Sequence, residues 1–337
     1  MAVTNTVLLN ALAMLNERSN KDMRAPNYGA TKTFNKYKRQ VVLNYDEFNL
    51  VKNQSDLQTK QIDYLRRDTQ SVGSARSHSL SAVYPASTRD TLSFTTYQRV
   101  FSVSWGQASN NTIKFAQQLA NQIVNARLDI GADIETAAVA KLETFKNTTE
   151  GSRTLGTWDS GAYVQEFAIA DKANYYNYIR ASLAELDHTG TFQEVHTGSL
   201  EALKWYQMAQ GAGNDANTQF QYPDFDLELS TSITNASDYF GTSYVVPTAS
   251  IASVDWIPDK NRIGLDHAGA WRFDSIPDPF GIFDQLALAT YETVIDGSTA
   301  GGGQDAVYTY EMSVDVALWC PTLTTGKIVN KFGLTSA

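Results

Sequence analysis

The chain has 337 residues, only 19% of them charged, and a formal net charge of -9, a balance that argues against nucleic acid as the primary ligand of the body of the protein. A single cysteine, Cys320, excludes an internal disulfide framework and a cysteine-based metal cluster. The length suits one elaborate domain or roughly two to three subdomains, and the many Asn, Gln, Ser, Thr, Tyr and Phe residues suit subunit contacts as well as solvent.

Taken in order, Val7 to Leu15 is apolar but short, has nothing basic before it and is interrupted by Asn10, so it predicts an amphipathic helix rather than a secretory or membrane segment. No later stretch approaches about 18 apolar residues, and a soluble protein that stays where it was made is expected. From Arg18 to Arg39 the charge reverses: Arg18, Lys21, Arg24, Lys32, Lys36, Lys38 and Arg39 stand against only Glu17 and Asp22. With Pro26, Gly29 and no helical or strand period, this segment predicts an extended arm that lies on an acidic neighbour or touches nucleic acid, or else a solvated tail.

Val41 to Leu50 is strand-like, Asp56 to Asp68 is charged, and Thr69 to Asp90 is long, rich in Ser, Thr and Arg, and without period. Leu92, Phe94, Phe101, Val103 and Trp105 then mark strands. Val41 to Ser104 therefore predicts a two-stranded excursion from the body. Its tip lies at Val72 to Ser81 and carries Arg76 and His78, and a second copy of the chain is its natural cover.

Asn111 to Phe145 predicts one helix, since Ala116, Ala120, Ile123, Arg127, Ile130, Ile134 and Phe145 recur on one face. Ser109, Asn110 and Asn111 are the candidate caps, and Ile123, Ile130 and Ile134 the candidate core. Gly131 is the point where the alternative, a helix pair, would break. Helices are also predicted at Asn174 to Leu186 and Ser199 to Gln210, with a short strand between them at Phe192 to Val195. Strands follow at Phe225 to Leu229, Tyr244 to Pro247, Ala252 to Ile257 and Ala270 to Phe273. Tyr308 to Leu318 alternates strictly and pairs with Leu286 to Ile295 in a long hairpin, with Gly301, Gly302 and Gly303 in its tip.

No chemistry-bearing motif stands out. His78, His188, His196 and His267 lack metal-pair spacing, and neither a G-x-S-x-G elbow nor a phosphate-binding Gly-Lys-Ser/Thr sequence occurs. Asp224, Asp226 and Glu228 share one strand face, as an incidental calcium site, a seat for a neighbour's basic arm, or a solvated face. Cys320 reads as buried rather than reactive.

The order of elements resembles the major capsid proteins of tailed bacteriophages, the Hong Kong 97 type fold. The resemblance implies an α+β chain in which residues 1–40 form an N-terminal arm, 41–104 an extended β-loop, 105–172 a peripheral domain with the spine helix, 173–279 an axial domain, and 280–337 the returning peripheral strands and a C-terminal tail. It further implies that Arg18, Arg24, Lys32, Lys36, Lys38 and Arg39 make inter-subunit contacts. The implied partners are many copies of the chain as pentamers and hexamers, a portal, a separate scaffold protein or none, decoration proteins or none, and packaged double-stranded DNA held non-specifically. No membrane, no cofactor and no catalysis are implied, and the place is the virion, assembled in the host bacterial cytoplasm. A tail-tube or other phage structural subunit, and a β-rich carbohydrate-binding protein, are the competing expectations.

Overall fold

Two sheets lean on one long helix. The computed structural model describes residues 9–11, 13–14, 31–38, 52, 57–65, 87–106, 114–149, 153–203, 224–258, 271–297, 303–321 and 328–336. In chain order the elements are α1 (Lys32–Lys38), β1 (Thr59–Leu65), β2 (Ser87–Ser93), β3 (Thr95–Ser104), α2 (Phe115–Phe145), β4 (Thr157–Asp159) and β5 (Val164–Phe167). A short 3-10 turn then leads into α3 (Tyr175–Glu185), followed by β6 (Phe192–His196), β7 (Phe225–Leu229), β8 (Tyr239–Pro247), β9 (Ala252–Trp256), β10 (Trp271–Ile276), β11 (Leu286–Gly297), β12 (Gly303–Trp319) and β13 (Asn330–Thr335).

The first sheet has the order β10-β11-β12-β3, with β9 also pairing with β12. β12 is its backbone: β11 runs along one edge from Gly303 to Ser313, while β3 and then β9 share the other. Strict alternation turns Tyr310, Met312, Val314 and Val316 toward α2. The expected long hairpin is present, with one correction. Gly303 is the last paired residue, opposite Gly297, rather than part of the tip; Gly301 and Gly302 lie outside the described residues.

α2 runs for 31 residues without a break at Gly131. Leu119, Ile123, Ile130 and Ile134 bury their side chains against the first sheet, each gaining about 1.5–3 kcal/mol. Further along, Val139 and Leu142 enter a different core, on the second sheet. The helix begins at Lys114, whose N–H donates to Gln117 Oε1 (3.1 Å), and ends at Lys146 in extended backbone. The expected caps at Ser109 to Asn111 lie outside the described residues.

The second sheet has the order β4-β5-β13-β8-β6-β7. One face meets α3 through Phe167, Tyr175, Tyr176, Ile179, Phe192, Phe225 and Phe332; the other meets the end of α2 through Val195, Tyr244, Val246 and Val329. Sheet membership therefore crosses the contiguous segments expected from the sequence. β9 and β10 belong to the first sheet, whereas β13, expected in a tail, sits inside the second, parallel to β5 and antiparallel to β8.

The two-stranded excursion is also corrected. Its first strand is Thr59–Leu65, paired antiparallel with Ser87–Ser93, within the segment expected to be merely charged; Val41 to Leu50 lies outside the described residues. At its base the ribbon does not project freely. Ile62, Leu92 and Phe94 pack on Val254, Trp256, Ala317 and Trp319 of the first sheet, on the face away from α2. Lys60 lays its ammonium 4.0 Å from the Trp256 ring, so a lysine fills an inward position that a pattern reading scores as polar.

Candidate assembly surfaces

The basic segment is the first surface. Lys32, Lys36 and Lys38 lie on α1, a helix and not an extended strand, which corrects the expectation for this part of the arm. Its period escapes a sequence reading because the buried positions are Thr33, Phe34, Lys36 and Tyr37, two of them polar. Each lysine meets acid on its own chain: Lys32 is 3.1 Å from Glu228, Lys36 is 3.4 Å from Asp226, and Lys38 is 3.1 Å from Asp255 and 3.2 Å from Asp284. Asp224 pairs with Arg180 at 2.7 Å. The alternating carboxylates of β7 thus face this chain's own cations. Arg18, Arg24 and Arg39, and the tip residues Arg76 and His78, lie outside the described residues.

The second surface is the outer edge of β3, which pairs with β12 on one side only among the described residues. Large apolar side chains are exposed on this part of the chain: Val100 in mid-strand and Trp105 just past the end of β3, at 50% and 47% of full exposure, and Leu57 just before β1, at 69%. Val100 stands on the face away from α2, while Trp105 rests on Phe115 at 5.2 Å between ring centroids.

The structure also holds two buried charge clusters, neither of which is apparent in the sequence. Arg127, expected only as a member of a helical stripe, is fully buried and donates Nε to Asp278 Oδ1 (2.7 Å) and Nη2 to Oδ2 (3.2 Å). The Asp278 carboxylate also accepts the backbone N–H groups of Phe280, Ile282 and Phe283 at 3.1, 3.0 and 3.0 Å. The guanidinium lies against the Phe280 and Phe283 rings, at 4.9 and 4.5 Å. Only the neighbouring prolines, Pro277 and Pro279, signalled a special turn here.

The second cluster centres on His196 at the end of β6. Its Nε2 is 2.8 Å from Glu201 Oε2, and its Nδ1 is 3.6 Å from the buried Glu194 carboxylate. Burial acts to lower the His196 pKa, but Glu194 and Glu201 outweigh it and hold the imidazole above its ordinary value. A pKa raised on folding stabilises fully below the unfolded value of 6.5, and that contribution is lost as pH rises through the folded value. The wild-type excess in urea stability over His196→Gln is therefore expected to shrink as pH rises above 6.5; an excess that grew with pH would refute the charged assignment.

Ile123, Ile130 and Ile134 are 0%, 2% and 1% exposed. Cys320 is half-buried at the end of the first sheet. Among the described residues no group of three or more His, Cys, Asp or Glu side chains is placed to hold a metal ion, and no helix is long and apolar enough to cross a membrane.

No family model matches the sequence, and no curated protein matches it. Among solved structures, the chain is similar to one from Mycobacterium phage Che8, with 11% identity, 87% of this chain and 89% of that chain covered, and a TM-score of 0.49. It is similar to a chain of the cyanophage Pam1 capsid asymmetric unit, with 8% identity, 83% and 86% coverage, and a TM-score of 0.48. A chain from Mycobacterium phage Bobi gives 11% identity, 91% coverage of each chain and a TM-score of 0.46.

Proposed function

We propose that this chain is a shell-forming coat subunit, the major capsid protein of a tailed bacteriophage with the Hong Kong 97 type of fold. The observation that carries the reading is architectural. One 31-residue helix serves two separately built β cores, a two-stranded ribbon leaves the edge of the first sheet, and a hairpin of 12- and 17-residue strands closes that sheet. A scaffold of this kind spreads contact surfaces over one subunit, which suits a protein that must touch many copies of itself.

In this reading residues 1–40 are the arm and 41–104 the extended loop. The α3 and second-sheet unit corresponds to the axial domain, the first sheet with α2 to the peripheral domain. The exposed Leu57, Val100 and Trp105 lie on the subunit contact, and Arg18, Arg24 and Arg39 reach a neighbour. Many weak repeated contacts accumulate into a stable assembly, and a heterologous contact that closes into pentamers and hexamers yields a shell. An acidic body faces double-stranded DNA without gripping it, which leaves DNA free to slide during filling. A portal and a separate scaffold or decoration protein complete the particle in the host cytoplasm.

Negative-stain electron microscopy of the purified chain, with size-exclusion chromatography at several salt concentrations, tests this. Closed shells or isolated pentamers and hexamers are expected. Tubes would move the chain to a tail component. A monomer at every concentration, alone and with the scaffold and portal proteins co-expressed from its own genome, would overturn the reading.

A further inference from the structure

α1 is only 7 residues long, too short to be stable as an isolated helix in water, so its helicity depends on its seat. That seat is built from three parts of the molecule. From α2, the buried Glu135 carboxylate accepts the Thr33 N–H at 2.9 and 3.2 Å and the Thr33 hydroxyl, while Ser230, just past β7, donates to the same carboxylate at 2.6 Å. From the second sheet, β7 offers Glu228 to Lys32 and both the carboxylate and backbone carbonyl of Asp226 to Lys36. From the first sheet, β9 supplies Asp255 to Lys38 and the Ser253 hydroxyl to the Phe34 carbonyl (2.6 Å). Ahead of β11, Asp284 and the Ile282 carbonyl also receive Lys38.

The apolar side chains divide in the same way. Phe34 is buried in the core of the first sheet and meets Phe283 at 5.6 Å, whereas Tyr37, one turn on, is buried in the core shared by the second sheet and the end of α2. Entry into the helix is strained: Thr31 has φ of 47°, a conformation that β-branched residues rarely adopt. Burial opposes the charge of Lys36 and pulls its pKa down despite Asp226 and Glu228. These observations describe a segment held by its surroundings against local cost.

We infer that α1 is a releasable clasp: seated, it fixes the first sheet relative to the second, and unseated, it leaves α2 and the chain crossings to do so alone. Electrostatic seating on four carboxylates, of which Asp226 and Asp284 are largely exposed, makes the clasp sensitive to salt and to competing cations. The seat is self-contained within one chain and does not depend on what the chain assembles into.

The test uses the unassembled full-length chain. Hydrogen exchange read by mass spectrometry follows residues 31–38, and spin labels at Gln98→Cys and Ala236→Cys, in a Cys320→Ala background, report the distance between the sheets. Lys36→Glu is expected to speed exchange of 31–38 about ten-fold or more and to broaden the label distances. Lys36→Glu with Asp226→Lys should restore both. Should Lys36→Glu not fold, the more exposed Lys32→Glu and about 1 M salt, where charges are screened beyond about 3 Å, should give the same pair of changes. Faster exchange with unchanged label distances would overturn the clasp, because α1 would then merely decorate the surface. Unchanged exchange in the charge-reversed and high-salt samples would overturn it as well.

Discussion

Asp278→Ala is expected to lower the unfolding free energy of the unassembled chain by about 4 kcal/mol or more, a size reached by few single substitutions. Removing the carboxylate leaves Arg127, a fully buried charge, without its bidentate acceptor. It also orphans the three backbone N–H groups of the following turn, each worth about 1–3 kcal/mol when left unsatisfied. Arg127→Met is expected to cost less, because those amides continue to stabilise the Asp278 carboxylate. Asp278→Asn should fall close to the alanine variant, since its amide nitrogen meets donors where the wild type has acceptors. Urea unfolding with unchanged m-values measures the order; if Arg127→Met proved the costliest of the three, the turn would not be what the aspartate supports.

Phe332→Ala is expected to cost about 3–5 kcal/mol. Phe332 is fully buried in the core beneath α3 and stacks on Phe167, with centroids 6.0 Å apart and an interplanar angle of 7°. Its strand lies between β5 and β8, so the loss should appear on both sides, as faster amide exchange in Val164–Phe167 and in Tyr239–Pro247. The opposite face of the strand is tightly packed as well: a Cβ at the adjacent Gly333 would lie 2.7 Å from the Tyr239 ring and 3.0 Å from Val164 Cγ1. A cost under about 0.5 kcal/mol, the usual figure for a surface position, would instead suit the tail that the sequence suggested.

That contrast shows where sequence patterns stop being informative. Tyr308 to Leu318 was legible because apolar residues on the α2 side of β12 alternate with Thr309, Glu311, Ser313 and Asp315 on the other, a polar pattern that did not reveal that Ser313, Asp315 and Ala317 on that second face are buried as well. α2 was legible for the same reason at helical period, and the phase held through Gly131. β13 was not legible: it is short, contains Gly333, and packs on both faces, so it has neither alternation nor length. α1 and β1 were misread because lysines occupy inward positions, Lys36 beside Asp226 and Lys60 over Trp256. Long-range charge pairing was invisible in principle, since Arg127 and Asp278 stand 151 positions apart. As for the candidate surfaces, the carboxylates of β7 were noticed as a possible seat for a basic arm, and sequence alone offered no means to tell that the arm's lysines would come from the same chain.

β12 has a further consequence for how this chain tolerates change in length. Its 17 residues set the alignment of β11, β3 and β9 at once. Inserting or deleting one residue inside Gly303–Trp319 would exchange the two faces of the strand beyond that point, turning apolar groups from α2 toward the ribbon side and breaking three registers together. The same change among residues 298–302, which join β11 to β12, would alter no register and would cost only a small increment of closure entropy. Variation in length between related chains should therefore gather in that connection and be absent from the strand, making β12 the molecule's ruler.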